Sequence, residues 1–347
     1  MVGSVLAFSI ALLGSTLGLS PRHADYISHL EGFAARVPGG PGLFSDYGIG
    51  HVGPLQPQLL RQEEDPEDPE DPEDSETRIQ KGRVSQKVPS FVAGLVYYRN
   101  DRNGNEEYKG PFCTSTLISS TEILTAAHCT EGMKNVRMEV VLGLSDLRAY
   151  SMRINENNPN VAIRDFYFED VEHHENYTGK EDNFLNDIAI IKLSEPVDIS
   201  QFKPIQLAGK EEGYTQNLKA NGWGLKNCWS SSAEALREAN GTFVDRPTCS
   251  DKWSRARDST PIPKSQVCVT YKADGMDAAV ASGDSGGPVY SDASNGPVQI
   301  GIASHVIFDF YYPPFLMCVD SSVPQVYNSV PEYKDWILKH SPSATFV

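Results

Sequence analysis

Positive charge is scarce in this 347-residue sequence, where 30 Lys and Arg stand against 46 Asp and Glu for a formal net charge of −16. No segment gathers the basic residues into a patch, and a face that grips phosphates needs one, so nucleic-acid binding by that route is excluded. Long apolar runs are equally scarce. The one near the start, Ser4 to Leu19, is too short to span a bilayer comfortably and sits where a secretory signal belongs. We expect a signal peptide over 1–20, although its front end lacks Lys or Arg; an N-terminal membrane anchor is the alternative. Cys-x-x-Cys pairs are absent as well. All six cysteines fall after residue 110, an even set that suits disulfides in an oxidising compartment better than a zinc site. The expectation is a secreted, extracellular protein without metal or cofactor and with no membrane attachment once the signal is removed.

What is present divides the chain in two. Residues 21–62 are rich in Gly and Pro and show no sustained period of 2 or 3.6. Next comes Glu63-Glu64-Asp65-Pro66-Glu67-Asp68-Pro69-Glu70-Asp71-Pro72-Glu73-Asp74, whose mutual repulsion and fixed proline φ angles favour an extended, solvated chain. Residues 1–78 hold 13 acidic and 4 basic side chains, so more than half of the net charge lies there. Such a segment cannot form a core. We read the acidic repeat as a soluble spacer, with binding of a cationic partner as the other reading.

From residue 79 onward the pattern becomes short β-type runs between polar turns: Phe91 to Tyr98, Thr116 to Ile118, Ile123 to Ala127, Val140 to Leu142 and Ile188 to Leu193. A second set follows at Leu218 to Asn221, Gln266 to Thr270, Gly287 to Tyr290, Val298 to Ser304 and Val323 to Val330. Many short strands of this kind read as an all-β barrel or sandwich. Three blocks within them carry chemistry. Leu124-Thr125-Ala126-Ala127-His128-Cys129 delivers a histidine. Asn186-Asp187-Ile188-Ala189-Ile190-Ile191-Lys192-Leu193 begins a buried-looking strand with an aspartate. Ala281-Ser282-Gly283-Asp284-Ser285-Gly286-Gly287-Pro288-Val289 sets a serine in a glycine-rich turn. A serine hydroxyl is a poor nucleophile at neutral pH; it needs a base within reach, and the base needs a third group to hold its tautomer. His128 and Asp187 suit those two roles. The backbone N–H groups of Gly283 and Ser285 are candidates to hold an oxyanion.

In the order His, Asp, Ser these blocks resemble the chymotrypsin/trypsin-like family of serine endopeptidases. Gly222-Trp223-Gly224, Ser304 after an apolar strand, Pro324-Gln325-Val326-Tyr327 and the closing Tyr333-Lys334-Asp335-Trp336-Ile337-Leu338 extend the likeness over roughly residues 79–340. The resemblance implies two six-stranded Greek-key barrels with a C-terminal helix, the site lying between them. It also implies a zymogen, in which 21–78 is a pro-segment whose repeat could restrain activation, and cleavage after Arg78 frees an Ile79 amine to pair with Asp284, which sits before the serine. Gln80 and Lys81 depart from the family's small apolar pair at that junction. The family's bridges imply Cys113–Cys129 and Cys249–Cys268, leaving Cys228 and Cys318 as a pair by elimination. Ala281 stands where the family usually has a further cysteine.

By the same resemblance Ala279 floors the specificity pocket, in place of the aspartate that attracts Lys or Arg. Val306 and Gln325 replace glycines of its wall. That set looks elastase-like, although the insertion Ile307 to Met317 intervenes and its Asp309 is an alternative source of a pocket carboxylate. His173-His174-Glu175 reads as surface, and Asn176-Tyr177-Thr178 and Asn240-Gly241-Thr242 are glycosylation sequons. A monomeric endopeptidase acting on protein or peptide substrates, activated by a trypsin-like protease, is the leading expectation. The rival is a catalytically silent homologue that binds or inhibits another protein. A third reading, a lipase or esterase on an α/β-hydrolase scaffold, would want a helix after the serine and its acid before a histidine at the chain's end, and Pro288-Val289 argues against that helix.

Overall fold

The computed structural model describes residues 79–100, 104–147, 158–179, 183–225, 235–256, 261–293, 295–311 and 316–347. The expected signal and pro-segments, Arg78 included, lie outside the described residues, as do Cys228 and the side chains of Asp309 and Cys318.

Eighteen strands are described. The first eight are β1 (Arg83–Val84), β2 (Val92–Asn100), β3 (Glu106–Leu117), β4 (Glu122–Thr125), β5 (Met138–Leu142), β6 (Ala162–Phe166), β7 (Val171–His173) and β8 (Ala189–Lys192). There follow β9 (Gln206–Leu207), β10 (Leu218–Gly222), β11 (Arg237–Val244), β12 (Gln266–Ala273), β13 (Met276–Ala278), β14 (Pro288–Ala293) and β15 (Gly296–His305). A hairpin of β16 (Phe308–Tyr311) and β17 (Leu316–Val319) precedes β18 (Gln325–Ser329). Two α-helices, Arg246–Ala256 and Lys334–His340, complete the set.

All but one of the named strand pairings are antiparallel, and they sort the strands into two large sheets. The order β6-β5-β2-β3-β4-β8-β7 forms a sheet curled around Val92, Leu95, Leu124, Val140, Ile190 and their neighbours. Its ladder does not close among the described residues. The second sheet does close: β10, β14, β15, β18, β12 and β11 pair in a six-membered ring around Val267, Val289, Ile300 and Tyr327. The all-β expectation with a short C-terminal helix is met, one half as a closed barrel and the other as a curled half-barrel.

Branched and aromatic side chains at alternate positions explain why the strands form where they do; burying each large one contributes about 1.5–3 kcal/mol. Register then places the site. Thr125 pairs with Ala189 at the end of the β4–β8 ladder, so His128, three residues on, and Asp187, two residues before, emerge at one end. Pro288 pairs with Ile302 across β14 and β15, which brings the Ser285 turn and Ser304 together in the same way. The expected strand Ile123 to Ala127 stops at Thr125, and a 3₁₀ turn, Ala127–Cys129, carries the histidine. Cys113–Cys129 pins that turn to β3, and Cys249–Cys268 ties the helix Arg246–Ala256 to β12.

Candidate active site

Asp187 is fully buried, and burial alone would push its carboxyl pKa up. It is nevertheless held below the usual range by the His128 charge and by hydrogen bonds. The backbone N–H of His128 donates to one oxygen at 2.9 Å, while His128 Nδ1 and Ser304 Oγ reach the other at 2.7 and 2.6 Å. Asn328 Nδ2 donates to the Asp187 carbonyl at 2.8 Å. Burial pulls His128 down, but the Asp187 charge and hydrogen bond more than offset it and leave the ring raised. A carboxylate on Nδ1 fixes the proton there, so the neutral ring presents Nε2 as a lone pair.

The serine turn is held from both sheets. Thr114, on β3, donates its N–H to the Ser285 carbonyl at 2.9 Å and its hydroxyl to the Gly283 carbonyl at 3.0 Å. Cys129 Sγ lies 3.6 Å from the Ser285 carbonyl oxygen, so the serine sits against the residue that follows His128. No hydrogen bond joins Ser285 Oγ to His128 among the described residues; such bonds commonly tighten only when substrate binds. Gly283 has a φ of +99°, a conformation that aims its N–H away from the strand pattern. Among the described residues, neither the Gly283 nor the Ser285 N–H has a protein acceptor, which leaves both for an incoming oxygen.

Asp284 points the other way, into the second barrel. It is buried and accepts from Gly224 N and Ala281 N, both at 2.8 Å. The Gly222-Trp223-Gly224 run makes the space: a Cβ on either glycine would overlap this carboxylate. Burial dominates, and the two N–H bonds only partly offset it, so its pKa is pushed up to about 7. No cation lies against it among the described residues. Ile79 is itself buried, in the core of that same barrel.

The residues expected to form the pocket divide. Ala279, Ala281 and Val319 pack in one buried apolar cluster, with Val306 and Leu225 against it. Gln325 is buried on β18, its Nε2 donating to the Val323 carbonyl at 2.8 Å, and its Oε1 has no partner among the described residues. Both sequon asparagines, Asn176 and Asn240, are exposed. His173 and His174, expected on the surface, are half-buried: Thr130 Oγ1 lies 2.8 Å from His173 Nε2, and His174 stacks on Trp336. Tertiary packing that a local reading does not see covers them, Trp336 of the C-terminal helix on His174 and Thr130 with Phe168 on His173. The one group of possible metal ligands found among the described residues, Cys113, His128 and Cys129, is a histidine beside a disulfide and offers no thiolates.

Sequence reasoning missed an aromatic set beside the histidine. The Phe184 ring meets His128 edge-on with centroids 6.0 Å apart and stacks on His305 at 5.5 Å, while Trp253 meets His305 at 5.1 Å. Asn183, Phe184 and Asn186 all have positive φ. The two asparagines, which tolerate that region, were the available signal of a tight turn before Asp187.

The fold and the site together are of the kind found in two-barrel serine peptidases. The trypsin family model matches residues 90–337, and the chain belongs to that family. Among curated proteins it is 31% identical over 246 residues to serine protease grass of Drosophila melanogaster, covering 65% of this chain and 59% of that one. It is 30% identical over 239 residues to serine protease SSP1 of Scolopendra subspinipes, covering 67% of this chain and 74% of the relative. It is also 28% identical to phenoloxidase-activating factor 3 of Holotrichia diomphalia, covering 65% and 62%. The chain thus spans about three fifths of the length of two of these relatives.

Proposed function

We infer that this chain is a secreted serine endopeptidase made as a zymogen, a monomer needing no cofactor, and that His128, Asp187 and Ser285 act together in acyl transfer. Ser285 Oγ attacks the substrate carbonyl carbon and passes its proton to His128 Nε2, and the carbonyl oxygen, now an oxyanion, accepts from the Gly283 and Ser285 N–H groups. The C–N bond then breaks as His128 returns the proton to the leaving amine. Water repeats the sequence on the acyl-enzyme and releases the acid. Asp187 orients the ring and steadies its charged form. The observation that carries this reading is the three-donor hold on Asp187 combined with two free N–H groups in the serine turn.

The family likeness supports a processing site between Arg78 and Ile79. A buried carboxyl raised to about 7 is costly to ionise, and an α-amine arriving beside it would turn that cost into an ion pair at the oxyanion turn. Secretion rests on the Ser4 to Leu19 run and on the disulfides; in addition, no helix among the described residues is long and apolar enough to cross a membrane. The test is labelling by a small organophosphonate before and after cleavage at Arg78. Labelling on Ser285 that rises on cleavage and vanishes in Ser285→Ala is expected; a converted chain that takes no label is the silent binding homologue.

A further inference from the structure

Gln80 is buried, which is unusual for an amide that could lie in solvent, and its side chain makes two hydrogen bonds to Val319. Its Oε1 accepts from the Val319 N–H at 3.0 Å, and its Nε2 donates to the Val319 carbonyl at 3.3 Å. The side-chain amide thereby closes a two-bond ring with one peptide unit, as a neighbouring strand would. Its own backbone carbonyl accepts from Ala279 N at 3.0 Å, in an antiparallel bridge. One residue therefore grips two others whose side chains share a buried cluster, Ala279 and Val319.

Val319 ends β17 and is the last partner of the β16–β17 hairpin, pairing with Phe308. Without Gln80 its N–H and carbonyl would be buried and unpaired, each at a cost of about 1–3 kcal/mol. An apolar side chain at position 80 offers neither a donor nor an acceptor. Ala281, in the same cluster, supplies only van der Waals contact because it is not a cysteine. The two amide bonds thus help to set the position of the Val319 wall, whose side chain shares a cluster with Ala279.

We propose that Gln80 is a positioning residue for substrate selection: its amide clasps Val319 and fixes the wall facing Ala279, linking the segment that follows Arg78 to the pocket. This rests on the reading of Ala279 as the pocket floor and of the chain as a serine endopeptidase. The consequence is separable from the chemistry, because the clasp is to Val319 and Ala279 and the proposed nucleophile, base and orienting acid are other residues.

The experiment compares wild type with Gln80→Met, which keeps length and volume, and Gln80→Glu, which keeps the acceptor and loses the donor. The full-length chains are converted by a trace of trypsin. Small organophosphonates without a side chain to fill the pocket should label Ser285 at the wild-type rate in both variants. KM for peptides with a small aliphatic residue before the cut should rise about tenfold, with kcat changed by less than about threefold. Unchanged KM in Gln80→Met overturns the proposal. Wild type that takes no label overturns the endopeptidase reading instead, so the two failures differ. Amide exchange of the Val319 N–H in the full-length Ser285→Ala chain needs no change at position 80: slow exchange is expected, and exchange as fast as an exposed turn overturns the clasp.

Discussion

Two buried aspartates meet opposite fates. Asp187 has an imidazole and a hydroxyl on it and is held low; Asp284, among the described residues, has two backbone N–H groups and is pushed up to about 7 by burial. The first can serve as a permanent anion for the histidine. Asp187→Asn should therefore reduce kcat by roughly 10⁴-fold, since an amide holds the ring in the wrong tautomer; a loss under about tenfold would move that role elsewhere. His128 is raised by its partner, so it must shed its proton before it can act as a base. kcat/KM should fall on the acid side with an apparent pKa above about 6.5, the ordinary value for histidine. A pH–rate profile with its limb below that value would contradict the ion pair.

The second aspartate links stability to pH with a definite sign. Between its ordinary 3.8 and about 7, the folded uncleaved chain binds a proton that the unfolded chain has lost, so stability falls as pH rises through that window. The full swing is on the order of 4 kcal/mol. The Tyr271 and Tyr327 hydroxyls feel this carboxyl but stay neutral there, since both are themselves raised. Thermal unfolding of uncleaved Ser285→Ala, with and without Asp284→Asn, should show a gap that widens in favour of asparagine from pH 5 to pH 7. A gap independent of pH would mean that the carboxyl is already paired before cleavage.

At the scale of elements, the strongest signals were the strands with β-branched runs that also bear the site. β2, β8, β14 and β15 stand within a few residues of where the apolar pattern put them, and β4 stops two residues short of its expected end. β11 did not announce itself, because Arg237-Glu238-Ala239-Asn240-Gly241-Thr242 has no clean alternation; ladders to β10 and β12 hold it on both edges. The serine turn was legible as chemistry, but its support was not. Thr114 lies 171 positions before Ser285 in the chain, and nothing local marks it as the residue that holds the turn. Thr114→Val should leave the Gly283 carbonyl without its hydroxyl donor and cost about 1–3 kcal/mol. Its unfolding midpoint should drop by a few degrees, with kcat falling more than KM because the two N–H groups lose their aim. Equal activity and stability would show that the turn holds itself.

For the whole molecule, the proposed zymogen reading raises the question of what would release activity, and the acidic front segment and the proposed pocket bear on it together. If Ala279 floors the pocket, a substrate arginine would bury its guanidinium among Ala279, Ala281 and Val319 with no carboxylate opposite it among the described residues. An unpaired buried charge costs several kcal/mol, enough to suppress cleavage strongly. The protein should then be unable to cut its own Arg78, and activation would fall to a second, trypsin-like protease. The carboxylates from Glu63 to Glu76 lie just ahead of that bond and would compete for the activator's basic-residue recognition or slow its approach. Purified zymogen should stay inert on prolonged storage and convert to a chain beginning at Ile79 when a trace of trypsin is added. It should then prefer small aliphatic residues before the cut. Replacing the acidic residues of 63–76 with their amides should speed that conversion, most visibly at low salt. If the wild-type zymogen instead processes itself at Arg78 while Ser285→Ala does not, the pocket must hold a carboxylate after all, and Asp309 is the residue to replace next.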